Sequence, residues 1–353
     1  MLTALSVFGG RPHLIKGEAV NRAFHGSKDV RHVTLETWLA EYSDYPRSGN
    51  DDFELPPAAD VIRTDSRDVA LREMSRAFQN IGPDVVLLYG DLDLTLVGLE
   101  VAMHHGLPVV HIESGYRSGD LDDPEERTRI EVDRLAVHRI VFSDYMAQNL
   151  SREGFSTSSY SRYDNPAWLS LAARLPRIQD GAAKRESPPT GLATLHHDEN
   201  LLDANRVTLF LNQLQYVAKS YHLTFILYQR TRTGLARLGL LDRLSELSVE
   251  VVSTMSYDSY VRHLARASFV VTDSSGLQDD CQFLRKPCFV ARRATSRREP
   301  TTPVIELIGE RQPEDVVTMV EAALLTDSGQ ATGPPRLDRS YDESFLELLR
   351  RLG

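Results

Sequence analysis

Short apolar runs alternate with helix-length segments along most of the chain. Ten of these runs contain three to five residues rich in β-branched and aromatic side chains, which is typical of buried strands. Their alternation with helical segments predicts parallel sheets covered by helices on both faces. The predicted strands span residues 5–8, 33–35, 85–89, 109–112, 139–142, 192–195, 224–228, 249–252, 270–272 and 289–291.

The length of the chain and one polar segment predict two domains. A chain of 353 residues exceeds the usual size of a single domain. Residues 174–189 are rich in charge, Pro and Gly, which makes them the best linker candidate. We predict an α/β fold of two Rossmann-like, doubly wound domains that face a central cleft, a usual place for a ligand. The predicted parts are an N-terminal domain over 1–170, a linker over 171–190, a C-terminal domain over 191–330, and a C-terminal helix within 336–353 that packs back on the first domain.

Composition and charge restrict the partners of the protein. A hydrophobic content of 41% with 25% charged residues is ordinary for a globular chain. The net charge of −10 gives no footprint for nucleic acid or an anionic membrane, so we expect neither as a partner. Cys281 and Cys288 match no zinc pattern and no disulfide framework, which predicts packing roles in a reducing compartment. The short apolar start lacks a basic leader, and we therefore expect a cytoplasmic protein.

An acidic residue, Glu113, directly follows the predicted strand 109–112. A carboxylate at the end of a buried strand costs free energy unless it is solvated, paired or used in chemistry. Gly115 then allows the backbone to turn sharply. Because ligands of open α/β sheets bind at the carboxyl ends of the strands, Glu113 is the first candidate for catalysis.

A predicted helix begins soon afterwards at Pro124. Pro is tolerated in a first turn, and the acids Glu125 and Glu126 lie beside the positive end of the helix. Arg129 lies within one turn of both acids. Residue types alone leave two interpretations open, a capped and solvated helix start or part of an active site.

A glycine-rich turn follows the first predicted strand. Gly9 and Gly10 lead into a helical segment that carries Arg11 and, one turn later, Lys16. Glycines let a ligand approach the backbone closely, and a helix start with two cations can hold a phosphate. A tight turn with surface cations is an equally good interpretation.

Another acid, Asp91, follows the strand 85–89. It is either a helix N-cap or, if the strands 85–89 and 109–112 are neighbours, the partner of Glu113 in a close carboxylate pair. Such a pair raises the pKa of one acid, as a general base near neutral pH requires.

Two histidines, His196 and His197, follow the strand 192–195. Their imidazoles are either structural or placed to meet a leaving group across the predicted cleft, and two histidines in one polar loop favour the second interpretation. His196 with Glu199 makes no metal site without a third ligand.

Small hydroxyl residues precede the predicted helix that follows strand 270–272. Ser274, Ser275 and Gly276 form either an ordinary N-cap or a seat for a diphosphate, built from backbone N–H groups. Asp279 and Asp280 are predicted in the first turn of this helix, where one of them can bind ribose hydroxyls.

These strand ends, in this order, resemble the UDP-N-acetylglucosamine 2-epimerase family. The resemblance runs from the turn at 8–12 to Arg297-Arg298-Glu299 and is strongest at 90–91, 111–120, 124–126 and 272–278. It implies two Rossmann-like domains in the glycosyltransferase-B arrangement, with a nucleotide sugar between them and commonly a homodimer.

The reaction implied by the resemblance is epimerisation at C2 of a UDP-2-acetamido sugar of the UDP-GlcNAc/UDP-ManNAc type. UDP leaves by anti elimination with loss of the C2 proton, and it adds back to the 2-acetamidoglucal after reprotonation on the opposite face. These steps need no redox cofactor and no metal. The alternatives are a hydrolysing 2-epimerase, a glycosyltransferase of the same architecture and a nucleotide-sugar binding module without activity.

The resemblance also implies roles for individual residues. The implied catalytic residues are Asp91, Glu113, Glu125 and His196. The implied substrate-binding residues are Arg11, Lys16, Arg129, Ser274, Ser275, Gly276 and Asp280. Departures from the family pattern are Thr34-Leu35-Glu36-Thr37 where the family binds a second, activating UDP-sugar, His13 after the Arg-Pro pair, Leu169, His197, Asp198 and Tyr228. The carboxylates are kept while the surroundings of the substrate differ, which is consistent with a changed substrate.

Overall fold

The computed structural model describes residues 1–39, 52–179, 188–298, 305–327 and 335–353. The chain divides into two compact units, unit 1 (Met1–Ser170 with Leu337–Gly353) and unit 2 (Leu171–Arg336). Within these described ranges, every helix is too short or too polar to cross a lipid bilayer.

The described residues form thirteen strands and fourteen α-helices. The strands are β1 (Leu2–Phe8), β2 (Val30–Trp38), β3 (Asp60–Arg63), β4 (Val85–Tyr89), β5 (Val109–Ile112), β6 (His138–Val141), β7 (Tyr160–Arg162), β8 (Thr190–Thr194), β9 (His222–Leu227), β10 (Glu250–Ser253), β11 (Phe269–Thr272), β12 (Cys288–Val290) and β13 (Ile305–Leu307). The helices are α1 (Arg11–Asn21), α2 (Arg67–Ile81), α3 (Asp93–His104), α4 (Pro124–Leu135), α5 (Asp144–Arg152), α6 (Pro166–Gln179), α7 (Asp198–Leu201), α8 (Ala204–Val217), α9 (Gln229–Arg237), α10 (Arg243–Glu246), α11 (Tyr257–Arg266), α12 (Ser275–Leu284), α13 (Pro313–Asp327) and α14 (Glu343–Leu352). Short 3-10 turns at Arg22–Phe24 and Thr157–Ser159 complete the list.

Unit 1 contains a seven-stranded parallel sheet in the order β3-β2-β1-β4-β5-β6-β7. The strand order reverses between β1 and β4, and such a switch point is where ligands bind in doubly wound sheets. The register pairs Tyr89 of β4 with Ile112 of β5, so both strands end at the same level. Apolar side chains from the strands and from α2 and α3 form the core, which includes Val86, Leu88 and Phe78.

Unit 2 repeats this plan with a six-stranded parallel sheet in the order β10-β9-β8-β11-β12-β13. Its switch point lies between β8 and β11. Phe210, Phe225 and Phe289 are among the buried residues of its core. The two cysteines, on α12 and β12, are free and buried, in agreement with the predicted packing roles. Two Rossmann-like sheets confirm the predicted α/β class.

All ten predicted strands are present, and β4 and β5 have the predicted bounds. The sequence missed β3, β7 and β13, which are edge strands of three or four residues. Most of their side chains are partly or fully exposed, so they lack the apolar run that marks a central strand.

The predicted linker begins inside a helix. Helix α6 continues through Pro176 to Gln179, whereas the sequence suggested an irregular segment from Arg174. Residues 180–187 of the predicted linker and Glu299 of the family pattern lie outside the described residues.

The C-terminal helix α14 packs within unit 1. The ring of Phe345 lies 6.4 Å from that of Phe24 and 5.7 Å from that of Tyr163, both edge-on. Arg350 pairs with Asp29 at 2.8 Å. The helix begins at Glu343, within the predicted range, because the Asp342 carboxylate caps it by accepting the Ser344 N–H at 3.0 Å.

Candidate active site

Glu113 lies buried at the end of β5 and is bound by a buried lysine. Its side chain is 3% exposed, and its Oε2 accepts a hydrogen bond from Nζ of Lys16 on α1. The resemblance implied that Lys16 contacts the sugar or diphosphate, whereas here it pairs with a carboxylate. The turn that the sequence ascribed to Gly115 already begins at Glu113, whose φ is 83°. The carbonyl of Ile140 holds this turn by accepting from the N–H of Glu113 at 3.2 Å.

Asp91 follows β4 and is bound by a buried arginine. Its carboxylate accepts from Arg129 of α4, which also donates from Nη1 to Oε2 of Glu126 at 2.5 Å. Arg129 is almost fully buried and therefore holds its two carboxylate partners in fixed positions. The sequence suggested Asp91 as an N-cap, but Leu92 occupies the position before α3 and no side chain caps it.

Glu126 is a site residue for which no role in the reaction was predicted. Its buried carboxylate accepts from the N–H groups of Ser118 and Gly119 at 3.0 Å, in addition to Arg129. Glu126 therefore ties the loop after Glu113 to the helix that carries Arg129. Two acids occur together at the start of this helix. One acid already gives a favourable interaction with the helix dipole, so the second could have been suspected of another role.

Glu125 lies half-buried in the first turn of α4. Its N–H donates to the N-cap carboxylate of Asp123 at 3.0 Å. Asp123 therefore caps the helix, as one of the two interpretations of this region predicted. The same helix start also carries the buried contacts of Glu126 and Arg129.

The two strand-end acids are separately neutralised. Strands β4 and β5 are neighbours, as the hypothesis of a carboxylate pair required. However, Glu113 has Lys16 and Asp91 has Arg129 as its cation, and an opposite charge favours the ionised form of an acid. The hypothesis of a close carboxylate pair stays a prediction.

Gly90 lies directly before Asp91 and leaves little room for a side chain. Its φ of 58° is in the left-handed region, and a Cβ there would lie 3.2 Å from Oε2 of Glu113 and 3.4 Å from Nε2 of His13. A side chain at the end of β4 would therefore press on the Glu113 carboxylate.

His13, which departs from the family pattern, is a neutral buried neighbour of both acids. Burial, together with the charge of Lys16, lowers its pKa to about 3, although Glu113 and Asp91 oppose this shift. Its Nδ1 accepts the N–H of Gly9 at 3.0 Å, which places the ring proton on Nε2.

The predicted phosphate turn is present at Gly9 and Gly10, and a half-buried Arg11 opens α1. A Cβ at Gly9 would lie 3.1 Å from Cβ of Leu94, so packing alone accounts for this glycine. Gly10 has extended backbone that any residue adopts. The geometry of the turn itself therefore favours the tight-turn interpretation.

A second buried network joins β4, β5 and α4. His111 of β5 is fully buried, with Nδ1 at 2.6 Å from Oδ1 of Asp133 and Nε2 at 2.8 Å from the carbonyl of Gly90. Oδ2 of Asp133 accepts from the N–H of Gly115 at 3.0 Å and from Arg117 at 2.8 Å. His111 falls within the range 111–120 of the family resemblance, and no role was predicted for it.

In unit 2, Asp273 organises the loop that carries the two histidines. Its buried carboxylate accepts from the N–H groups of His196 at 3.0 Å and His197 at 2.8 Å, and from Nδ2 of Asn200 at 3.0 Å. Burial alone would raise the pKa of this acid, but the charges of both histidines and these hydrogen bonds lower it below its ordinary value. Asp273 directly follows β11. Its position at a strand end is the feature of the sequence that could have indicated its role.

His196 points its ring against an aromatic side chain. Its side chain is 34% exposed, and its ring lies edge-on to that of Tyr228, with centroids 5.6 Å apart. Tyr228 stands where the family pattern has a His, so an aromatic residue now packs beside the candidate His196.

Glu199 takes part in an arginine cluster. It accepts from Arg206 at 2.5 Å, from Arg292 at 3.1 Å and from Arg293 at 3.3 Å. Burial opposes ionisation, but the charges of Arg206 and Arg292 lower the pKa of Glu199 below its ordinary value.

The predicted diphosphate seat lies at the start of α12. Oγ of the N-cap Ser274 accepts the N–H of Leu277 at 3.3 Å, as in an ordinary cap. Ser275 and Gly276 are half-buried in the first turn. A Cβ at Gly276 would have only Oγ of Ser274 within 4 Å, at 3.8 Å, so packing within the described residues does not explain this glycine and the ligand interpretation is favoured.

The prediction that Asp279 and Asp280 lie in the first turn of α12 is wrong, because the helix begins at Ser275 and its first turn holds no acid. Asp279 forms a buried bidentate ion pair with Arg297, at 3.0 and 3.1 Å. Asp280 accepts the hydroxyl of Tyr260 at 2.7 Å. Asp280 therefore remains the candidate for ribose, and Asp279 has a structural role.

Comparison with known proteins gives a consistent result. The family model of UDP-N-acetylglucosamine 2-epimerase matches residues 53–342. The UDP-2,3-diacetamido-2,3-dideoxy-D-glucuronate 2-epimerase of Pseudomonas aeruginosa is 28% identical, over 98% of this chain and 99% of its own length. The UDP-N-acetylglucosamine 2-epimerase of Bacillus subtilis is 25% identical, over 99% of this chain and 94% of its own length.

Solved structures share the fold. The UDP-GlcNAc 2-epimerase of Methanocaldococcus jannaschii, in complex with UDP-GlcNAc and UDP, has a TM-score of 0.83 at 21% identity, with 99% of this chain and all of that chain covered. The enzyme of Neisseria meningitidis bound to UDP-GlcNAc has a TM-score of 0.82 at 19% identity, with the same coverage. The resemblance inferred from the strand ends is confirmed by the family model, which covers most of the sequence, and the chain belongs to the UDP-N-acetylglucosamine 2-epimerase family.

Proposed function

We propose that the protein epimerises a UDP-2-acetamido sugar at C2 without net hydrolysis. The observation that carries this proposal is the pair of acids at neighbouring strand ends, Asp91 and Glu113, each bound by a buried cation. An ionised carboxylate accepts a proton without prior loss of one, so either acid can serve as the base, and the other, protonated from solvent, is then the acid on the opposite face. The family and the names of the relatives support a UDP-sugar as substrate.

The proposed reaction has two halves. In the first, one acid removes the C2 proton, a C1=C2 double bond forms, and the C1–O bond breaks so that UDP leaves with the electron pair. In the second, a proton is returned to the opposite face of C2 and a diphosphate oxygen attacks C1, which restores the UDP-sugar as its C2 epimer. If water takes the place of UDP in the second half, the products are UDP and a free sugar.

Unit 1 is assigned the proton transfers. We assign them to Asp91 and Glu113, with Glu125 as a third acid on the first turn of α4. Lys16 and Arg129 hold the two strand-end acids in place, and the Arg11 guanidinium is assigned to the sugar or diphosphate. The fixed ion pairs keep both carboxylates oriented before the substrate arrives, which lowers the reorganisation needed in the reaction.

Unit 2 is assigned the nucleotide. The backbone N–H groups of Ser275 and Gly276, together with the hydroxyl of Ser274, are assigned to the diphosphate, Asp280 to the ribose, and His196 to the leaving diphosphate oxygen. Negative charge is favoured at the start of a ten-residue helix such as α12, which supports this assignment.

NMR in D2O with three UDP-sugars tests the proposal: UDP-GlcNAc, UDP-ManNAc and UDP-2,3-diacetamido-2,3-dideoxy-D-glucuronate. We expect deuterium at C2 of both epimers of a recovered UDP-sugar. Free 2-epimeric sugar with an equal amount of UDP identifies the hydrolysing enzyme instead. If no deuterium enters C2 of any of the three sugars, both kinds of 2-epimerase are ruled out.

A homodimer and a cytoplasmic location stay predictions. Sedimentation measures the oligomeric state directly.

A further inference from the structure

His111 connects the two strand ends that carry the acids. It lies two residues before Glu113 on β5, and its Nε2 contacts the carbonyl of Gly90, the residue before Asp91. A Cβ at Gly90 would lie 3.2 Å from Oε2 of Glu113, so the backbone before Asp91 runs beside that carboxylate. One imidazole therefore holds the backbone beside both acids.

The partners of His111 define its hydrogen bonds. A backbone carbonyl can only accept, and the carboxylate of Asp133 is ionised because His111 and Arg117 outweigh the effect of burial and hold the pKa of this acid well below its ordinary value. Both ring nitrogens of His111 face oxygen atoms, at 2.6 and 2.8 Å, so the buried ring bridges a carboxylate and a backbone carbonyl. A buried hydrogen-bonded bridge of this kind is a fixed, directional link.

Asp133 extends this link to the far side of Glu113. Its second oxygen accepts the N–H of Gly115 and a hydrogen bond from Arg117. The backbone is thus held at His111 before Glu113, and at Gly115 after it. Between these points Glu113 has a φ of 83°, one of two positive values among the described non-glycine residues. Backbone strain of this kind persists only where the surroundings enforce it.

We propose that His111 and Asp133 are positioning residues that set the distance between the carboxylates of Asp91 and Glu113. The proposal rests on the proposed function, because it concerns the same proton transfers. Both side chains are fully buried, so they are expected to act through the backbone that they hold. Loss of the link shifts β4 against the turn after β5, and a misplacement of about 1 Å can reduce a rate about 100-fold.

The two ring nitrogens are tested separately by two variants. The amide nitrogen of Gln takes the position of Nε2, so His111→Gln keeps the donor to the carbonyl of Gly90. The amide nitrogen of Asn takes the position of Nδ1, so His111→Asn keeps only the donor to Asp133. We expect kcat for C2 deuteration to fall about 100-fold in His111→Asn and less than about 10-fold in His111→Gln. KM and the Kd of UDP, the latter measured by calorimetry, stay within about 2-fold in both, because all groups assigned to UDP except Arg11 lie in unit 2.

Asp133→Asn provides a second, independent measurement. It removes the negative charge at nearly constant shape, and we expect a loss of kcat at unchanged KM. Circular dichroism shows whether the His111 variants fold. If they do not, the kcat of Asp133→Asn alone tests the positioning role.

His138 supplies the matched control. It is buried on the neighbouring strand β6, with Nε2 at 2.9 Å from Oγ of Ser161, and has no assigned role in the reaction. His138→Asn should keep kcat within about 2-fold. Equal kcat values for folded His111→Asn, Asp133→Asn and wild type would overturn the proposal, as would equal losses in His111→Asn and His138→Asn. Failure of the proposed function gives a different result, because the wild type then shows no C2 deuteration. This measurement is made before any variant is prepared.

Discussion

Lys16 donates a hydrogen bond to Glu113 across 97 positions of sequence, and both side chains are buried. The pair joins the first helix of unit 1 to the end of its fifth strand. It keeps a carboxylate ionised where solvent does not reach, which is the state that a general base needs before the substrate arrives.

Breaking this ion pair destabilises the protein. Lys16→Met leaves a buried charge without its lysine, and we expect the free energy of unfolding to fall by about 3–5 kcal/mol. The double variant Lys16→Met/Glu113→Leu regains much of this loss and has no C2 exchange activity. Urea denaturation of both single variants and the double variant measures the coupling, and strictly additive losses would argue against the pair.

Gly90 has a matched control in Gly82. Both have φ near 60°, but a Cβ at Gly82 meets nothing within 4 Å among the described residues, whereas at Gly90 it meets the Glu113 carboxylate. Alanine at either position costs about 1–2 kcal/mol of stability through backbone strain. We expect Gly90→Ala alone to lose at least about 10-fold in kcat as well. Similar kcat values for the two alanine variants would contradict the contact between Gly90 and Glu113.

Glu126→Gln tests the anchor of the loop after Glu113. The two carboxylate oxygens of Glu126 accept from three donors, the N–H groups of Ser118 and Gly119 and Nη1 of Arg129. The amide of Gln has only one oxygen and places an NH2 group near these donors. We therefore expect the free energy of unfolding to fall by about 1–3 kcal/mol. Because Arg129 loses a charge partner, kcat should fall as well. Glu131→Gln, a half-buried position on the same helix, is the control and should change neither quantity. An unchanged kcat in Glu126→Gln would separate this residue from the reaction.

Acid weakens the fold through two buried histidines. Burial with the charge of Lys16 lowers the pKa of His13 to about 3, and burial with the charges of Arg139 and Arg351 lowers that of His138 to about 4. Their pKa in the unfolded chain is about 6.5, so below that pH the unfolded state binds more protons and stability is lost as the pH falls toward the folded values. Each histidine contributes about 1.4 kcal/mol per pH unit.

Denaturation by urea at pH 7.5, 6.0 and 5.0 measures this loss. His138→Gln should flatten the pH dependence by about 1.4 kcal/mol per unit between pH 6 and 5. His104→Gln, at an exposed position, should leave it unchanged. Parallel curves for wild type and His138→Gln would contradict a neutral buried His138.

The strands, and the position of the acids at the strand ends, could be predicted from the sequence. Both predictions depend only on residues that are close together in the chain. The partners of these acids were not predictable in the same way. Lys16 was assigned to a phosphate because its neighbours are glycines and a helix start, whereas its partner Glu113 is fixed by sheet order. Glu126, Asp133 and Asp273 look like ordinary helix or loop acids until the fold brings donors to them.

The most direct test of the account is the rate at which solvent deuterium enters C2 of the recovered UDP-sugar, measured for the wild type, Asp91→Asn and Glu113→Gln. The account predicts rapid exchange in the wild type and a loss of at least about 100-fold in each variant, with the Kd of UDP unchanged. Exchange at the wild-type rate in both folded variants would show that the carboxylates of Asp91 and Glu113 do not move the proton.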